Sequence, residues 1–204
     1  MHLVIAEAGA RGERRVRTSR DEVDLIHRVA DKDGTAFDLL YRAYCPRLRR
    51  FIGRVTRRPQ IVDEIVNDTM LVVWRKASTY NLRSNVSTWI FGIAFRRALK
   101  SLKAIDNAVE FDPDQCTASS SLGPEGMLLQ QETRTWLAHA LNALSHDHRT
   151  VLELTYFEGH SCAEIAEMMR CPVSTVKTRM FHARRRLRSL IASDVAIRLG
   201  RGIV

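Results

Sequence analysis

Long apolar runs are missing from this 204-residue chain. The uninterrupted ones last only a few residues, too short for a transmembrane helix and excluding membrane insertion. The start, Met1-His2-Leu3-Val4-Ile5-Ala6, is apolar but brief and lacks the charged lead and long apolar stretch of a secretory signal. Cysteine is scarce: four scattered residues do not make a disulfide framework, and they suit a reducing cytoplasm, the expected location. No glycine-rich phosphate loop is present, which argues against nucleotide chemistry of the chain's own and against an enzyme. His146, His148, His160, Cys162 and Cys171 fall close in sequence, but their spacing matches no standard zinc pattern. No metal or other cofactor is expected.

What the chain does have is apolar residues enough for real cores, 45%, and an excess of positive charge, +9 overall. That charge is partitioned. Residues 38–103 hold fourteen basic against four acidic side chains. Residues 104–133 hold six acidic and no basic ones, and residues 134–169 five acidic against two basic. Residues 170–204 return to nine basic against one acidic. Two basic blocks around an acidic stretch suggest two footprints on a polyanion, where solvated helix faces are the plainer alternative.

The acidic stretch reads as a linker. Asp112-Pro113-Asp114, Thr117-Ala118-Ser119-Ser120-Ser121 and Gly123-Pro124 resist regular structure, and about 20 such residues are long for a loop inside one domain. The expected architecture is therefore all-α: two small helical domains, 21–104 and 127–204, joined by a flexible acidic linker, 105–126. A basic arm, residues 1–20, is expected to be disordered.

In the first domain a short amphipathic helix over Glu22–Ala30 is broken at Asp33-Gly34-Thr35. A long one comes next with Phe37, Leu40, Tyr41, Tyr44, Leu48, Phe51, Ile52 and Val55 on one stripe. Pro46 should bend or locally break it, and Pro59 ends it. The next helix, Ile61–Ala77, turns Ile61, Ile65, Val66, Thr69, Val72 and Val73 inward. Asp63, Glu64, Asp68 and Arg75 lie outside that stripe; dipole compensation and protein binding both account for the early carboxylates. A polar loop, Ser78–Ser87, leads to a helix running to Lys103. Trp89, Ile90, Ile93, Ala94, Leu99 and Leu102 are its packing residues, with Trp89 expected in the core, and Arg96, Arg97, Lys100 and Lys103 are on its other side. Ring and amide groups beside a basic helix are what single-stranded nucleic acid requires: bases stack on rings while cations track phosphates.

In the second domain Met127–Leu144 forms one helix and Ser145 caps another running to Phe157, with Gly159 in the turn. Ser161 and Glu164 form a capping box for a short helix, Cys162–Met169. Arg170-Cys171-Pro172 breaks the chain, and Ser174 can cap a long basic helix from Thr175 to about Ile191. Val176, Met180, Ala183, Leu187 and Leu190 point to its core; Lys177, Thr178, Phe181, His182, Arg185 and Arg186 project away. A short helix, a tight turn and a projecting basic helix make a helix-turn-helix.

Three segments in order carry a resemblance. Asp63–Trp74, DEIVNDTMLVVW, is similar to the polymerase-binding helix of bacterial sigma factors. Ser87–Ala94, STWIFGIA, resembles the start of their promoter-melting helix. Glu164–Met169 with Pro172–Arg179 after it, EIAEMM and PVSTVKTR, looks like their C-terminal helix-turn-helix. The small two-domain layout resembles the extracytoplasmic-function class, over roughly residues 22–192.

The resemblance implies a factor that binds core RNA polymerase, recognises promoter −35 and −10 elements, helps melt the DNA, and is held in check by an anti-sigma protein. Polymerase contact, on the β′ clamp coiled coil, would fall to Asp63, Glu64, Asn67, Asp68, Leu71 and Arg75, with the β flap as a further contact. The −10 element would meet Tyr80, Asn81, Arg83, Asn85, Arg96, Arg97 and Lys100. The −35 element would meet Thr175, Lys177, Thr178, Arg179, Phe181, His182, Arg185 and Arg186. The acidic linker would lie in the channel leading to RNA exit. The chain departs from the family pattern where Arg96 replaces a usual Asn and Lys100 an often acidic residue, which shifts that face toward phosphate contact. Arg170 and Ser174 stand where Gly is frequent. A plain helix-turn-helix regulator would explain the second half equally well, but not the acidic patch, polar loop and basic helix of the first.

Overall fold

The computed structural model describes residues 20–108, 140–141 and 143–200, and all regular structure among them is helical. The expected arm (except Arg20), most of the expected linker and most of the expected helix Met127–Leu144 lie outside the described residues. The chain divides into two compact units, one ending at Ile105 and the other taking the bulk of the residues after it. No helix among the described residues is long and apolar enough to cross a membrane.

In the first unit, helix α1 (residues 20–30) turns Ile26 and Val29 into the core. It closes with Lys32 in the left-handed region, φ 67°. The Asp33 and Lys32 amides donate to the Arg28 and Val29 carbonyls, the paired bonds of a Schellman cap. Asp33 then serves the next helix. Its Oδ1 accepts from the Thr35 and Ala36 amides at 2.8 and 3.1 Å, and its Oδ2 takes the Arg28 guanidinium at 2.7 Å. One residue thus closes one helix and opens the next.

Helix α2 (Gly34–Thr56) buries Leu40, Tyr44, Leu48, Phe51, Ile52 and Val55. It runs without interruption through Pro46, where the sequence allows a break. Pro46 stands exposed on the outer face, so water can serve the Arg42 carbonyl that the imino nitrogen cannot. The helix ends at Thr56, before the proline: Arg57 takes φ 57° and Arg58, preceding Pro59, is out of the helical region at φ −124° and ψ 88°.

Pro59–Ile61 form one 3-10 turn into α3 (Val62–Lys76), which buries Ile65, Val66, Thr69, Met70 and Val73. Buried Thr69 returns its hydroxyl to the Ile65 carbonyl at 2.7 Å, so no polar group is stranded. A second 3-10 turn, Ala77–Thr79, and the irregular residues 80–85 lead to α4 (Val86–Ala108). That helix continues past the expected end at Lys103. Its buried residues include Val86, Thr88, Ile90, Phe91, Ile93, Ala94, Phe95 and Ala98. Trp89, Leu99 and Leu102, expected to pack inward, are only half-buried. Phe91 takes the central place instead: its ring meets Phe51 edge-on at 5.3 Å, and the Arg47 guanidinium lies 5.2 Å from its centroid.

In the second unit, α5 (His146–Leu152) is capped by Ser145 Oγ, which accepts from the His148 amide. Residues Glu153–Phe157 continue it as a π-helical turn. Buried Arg149 donates to the Leu141 and Leu144 carbonyls at 3.1 and 3.0 Å, sealing the end of the preceding helical turn. Gly159 takes φ 72°, a conformation in which a side chain would be strained.

The capping box ahead of α6 (Cys162–Met169) is reciprocal: the Ser161 amide donates to Glu164 Oε2 at 2.8 Å, and the Glu164 amide to Ser161 Oγ at 3.3 Å. Arg170 takes φ 52°, with the Cys171 amide on the Ala166 carbonyl. Helix α7 (Val173–Gly200) begins before the expected Thr175 and ends later than Ile191. Ser174 is inside it rather than capping it. The Pro172 carbonyl accepts the Thr175 and Val176 amides, because Pro172 sets the entry without needing a donor of its own. Val176, Met180 and Ala183 are buried, while Leu187 and Leu190 are not. Leu154 of the π-helical turn and Ile165 of α6 are fully buried; burial of such side chains is worth about 1.5–3 kcal/mol each.

Candidate functional site

Three surfaces gather the residues singled out in the sequence. The first is the outer face of α3, where positions 63, 64, 67, 68, 71 and 75 recur at helical spacing. Asp63, Glu64, Asn67, Leu71 and Arg75 are exposed, and Asp68 is half-buried. Half of this face is already knitted to its own unit. Arg49 of α2 donates to Asp63 at 2.7 Å, and that bond holds the Arg49 guanidinium more firmly protonated still. Tyr41 donates to Asn67 Oδ1 at 3.3 Å, and Arg97 of α4 reaches Asp68 at 3.3 Å. Glu64, Leu71, 42% exposed, and Arg75 stand outward between these braces. The braces fix a mixed acidic, apolar and basic surface in one geometry.

The second surface is the loop after α3 and the start of α4. The half-buried Tyr80 packs its ring 5.7 Å from that of Trp89 and donates its hydroxyl to the Ser84 carbonyl. Burial raises its phenol pKa. Asn81 accepts from the Arg83 amide at 3.3 Å, a local turn that leaves Asn81, Arg83 and Asn85 exposed. At its apex Leu82 sits at φ 60° and is 58% exposed. Sequence reasoning misses Leu82; the one signal for it is a large apolar residue alone in a polar loop. Arg96 and Arg97 are half-buried on α4 and Lys100 is exposed. Arg97, through Asp68, belongs to the bracing of the first surface as well.

The third surface is α7. Lys177, Thr178, Phe181, His182, Arg185 and Arg186 lie opposite the buried Val176, Met180 and Ala183, and all six are exposed. Thr175 is half-buried. Phe181, at 61% exposure, and His182 have their rings 5.4 Å apart, edge to face. Arg179 is different. Its guanidinium turns back to the Asp147 carboxylate on α5 and lies 3.8 Å from Cys171 Sγ. It orients α7 on its own unit. His148 of α5, which the sequence offers only as a metal-ligand candidate, has its ring 6.2 Å from that of His182.

Among the described residues no group of three or more His, Cys, Asp or Glu side chains converges as a metal ion would need. Buried His160 lies 3.7 Å from Glu164 within the capping box.

The chain matches two family models in order, Sigma-70 region 2 over residues 40–108 and Sigma-70, region 4 over residues 134–187. It is 29% identical over 178 residues to the RNA polymerase sigma-H factor of Pseudomonas aeruginosa, covering 82% of this chain and 92% of that protein. It is 28% identical to the ECF RNA polymerase sigma-E factor of Haemophilus influenzae, over 82% of this chain and 93% of that one. Among solved structures it is similar to the sigma factor RpoE from Bartonella quintana, which was crystallised with the anti-sigma factor NepR. That match has a TM-score of 0.61 and 26% identity, and covers 78% of this chain and 98% of the other. These relatives are sigma factors, regulators of transcription rather than catalysts. A region 2 with its braced helix and polar loop, succeeded by a region 4 with its helix-turn-helix, places the chain in the sigma-70 family as a sigma factor of the extracytoplasmic-function class.

Proposed function

We propose that this sigma factor brings core RNA polymerase to a class of promoters by gripping two DNA elements from two units. The face of α3 docks on the β′ clamp coiled coil: Leu71 supplies apolar contact, Glu64 and Arg75 supply polar contacts, and Asp63, Asn67 and Asp68 hold the face rigid. The Tyr80–Asn85 loop receives an unpaired base of the −10 element, while Arg96, Arg97 and Lys100 track the strand backbone. Removing a base from the stack costs a few kcal/mol, and contacts already made at −35 and on polymerase offset that cost. The α7 helix enters the major groove at −35, with Lys177, Thr178, Phe181 and His182 toward base edges, Arg185 and Arg186 toward phosphates, and Thr175 and Arg179 setting the helix. The second unit also meets the β flap. The units are 21–104 and 127–204, and the acidic stretch 105–126 between them is a linker. The factor acts where polymerase is, in the cytoplasm, needs no cofactor, and is restrained by an anti-sigma protein.

The observation that carries this reading is the outward-facing six-residue cluster on α7, set opposite a buried face. Transcription in vitro with core polymerase on genomic fragments tests it. Defined start sites should appear only when the chain is added, and duplex binding by the chain alone should be weak. Tight, specific duplex binding without polymerase, or no change in initiation, overturns it.

A further inference from the structure

A groove of about 530 Å³ opens between the start of α5 and the middle of α7. Its polar lining is Ser145, His148, His182, Arg185, Arg186 and Ser189. Every one of these side chains can donate a hydrogen bond, two are guanidiniums, and no carboxylate lines the groove among the described residues. The carboxylate adjacent in sequence, Asp147, is turned to Arg179 instead. His148 and His182 come from different helices, and their rings face each other across 6.2 Å at a tilt of 32°. Abundant donors together with the permanent positive charge of two guanidiniums suit a phosphate. Ala143 and Leu144 supply the apolar part of the lining, and the two guanidiniums set its charge.

Of the possible phosphates, placement favours one in a DNA strand. His182 belongs both to the groove and to the outward cluster of α7. Thr178 and Arg185 are seven residues apart on that helix, about 10 Å along its axis. The major groove is about 12 Å wide, so a helix with Thr178 at base edges brings Arg185 toward the flanking backbone.

We propose that this groove clamps a backbone phosphate beside the −35 element, with His148 the contact supplied from outside the recognition helix. The inference rests on the assignment of α7 to −35. It makes recognition a two-helix event: α7 reads, and α5 with α7 fixes the register in which it reads.

The test uses polymerase holoenzyme formed with the full chain, on duplexes from a promoter it selects and on the same duplexes with a scrambled −35. His148→Ala should weaken binding about tenfold on both, leaving base preference intact, and His148→Lys should restore it. Arg185→Ala should lower the salt slope by about one. Lys177→Ala should instead erode preference for the −35 sequence. If His148→Ala binds as well as the parent while Lys177→Ala loses preference, the clamp is refuted and the −35 assignment stands. If neither variant nor the scrambled duplex alters binding, both fall together. A parallel titration of the free chain with inorganic phosphate, monitored by imidazole NMR shifts, separates the other source. Saturable filling of the groove that His148→Ala abolishes, with DNA binding unchanged, would mark a free-anion site and overturn the clamp.

Discussion

Arg179 sits on α7 among residues that project outward, yet its guanidinium is bonded to the Asp147 carboxylate of α5. Its other amino nitrogen lies 3.8 Å from Cys171 Sγ, in the turn that starts α7. The pair therefore ties α7 to α5 and to the turn ahead of it. Both side chains are partly exposed, so the bond is worth only about 0.5–1 kcal/mol. Asp147→Ala and Arg179→Ala should each lower the unfolding midpoint by a few degrees, and the double variant no further, as expected of partners. Lys177→Ala should leave the midpoint alone while reducing −35 preference. Additive losses in thermal unfolding of the two single variants would show that they act separately.

That pair marks where the sequence is legible and where it is not. The spacing of Val176, Met180 and Ala183 sorts α7 into a buried and an exposed face, and the structure keeps that sorting. Periodicity has no view of Arg179, which lies at the boundary of the two faces and is claimed by a carboxylate 32 positions away. The Ser161–Glu164 capping box is readable because both partners are local. Ser174 misleads because two entry signals compete there, and Pro172 wins by fixing the backbone ahead of it. On α4, Phe91 and Phe95 rather than Trp89 and Leu99 fill the core, a choice made by the rings of α2 that no helical wheel contains.

Asp33 gives a pH dependence. Its bond to Arg28, and then the Ala36 amide, hold its carboxyl below the ordinary 3.8. The folded chain therefore disfavours protonation there more than the unfolded chain does. The stability this lends is complete above the unfolded pKa and is lost as pH falls through the folded one. Asp33→Asn keeps a cap but not the charge. Unfolding midpoints of parent and variant should differ at pH 7, keep that gap down to about pH 4, and converge below it. A gap that persists unchanged well below the folded pKa would mean that the carboxylate charge contributes nothing.

Arg170 holds a left-handed conformation, φ 52°, between the two helices of the helix-turn-helix. A side chain there costs about 1 kcal/mol relative to glycine, and the Cys171 amide bond to Ala166 depends on the same turn. Arg170→Gly should raise the midpoint of the second unit, and Arg170→Ala should not. Denaturant unfolding distinguishes them. Equal effects of Gly and Ala would place the benefit in removing charge rather than in the backbone.

Leu82 combines two costs in one residue. Its backbone is left-handed, φ 60°, and its side chain is 58% exposed at the tip of the loop assigned to the −10 element. A leucine that only completed a core would be buried and relaxed; this one is neither, as at sites where strain serves function. An apolar side chain presented beside Asn81 and Arg83 suits a wedge against an unstacked base. Leu82→Gly removes the wedge and the strain together. The folded chain should lose little or no stability, against the roughly 2–5 kcal/mol typical of emptying a core leucine site. Promoter opening by the holoenzyme should nonetheless fall, read as weaker permanganate reactivity of −10 thymines at unchanged −35 occupancy. Leu82→Met, which keeps an apolar tip, should open promoters nearly as well as the parent. A large loss of stability in Leu82→Gly, or full opening by it, would remove Leu82 from the melting step.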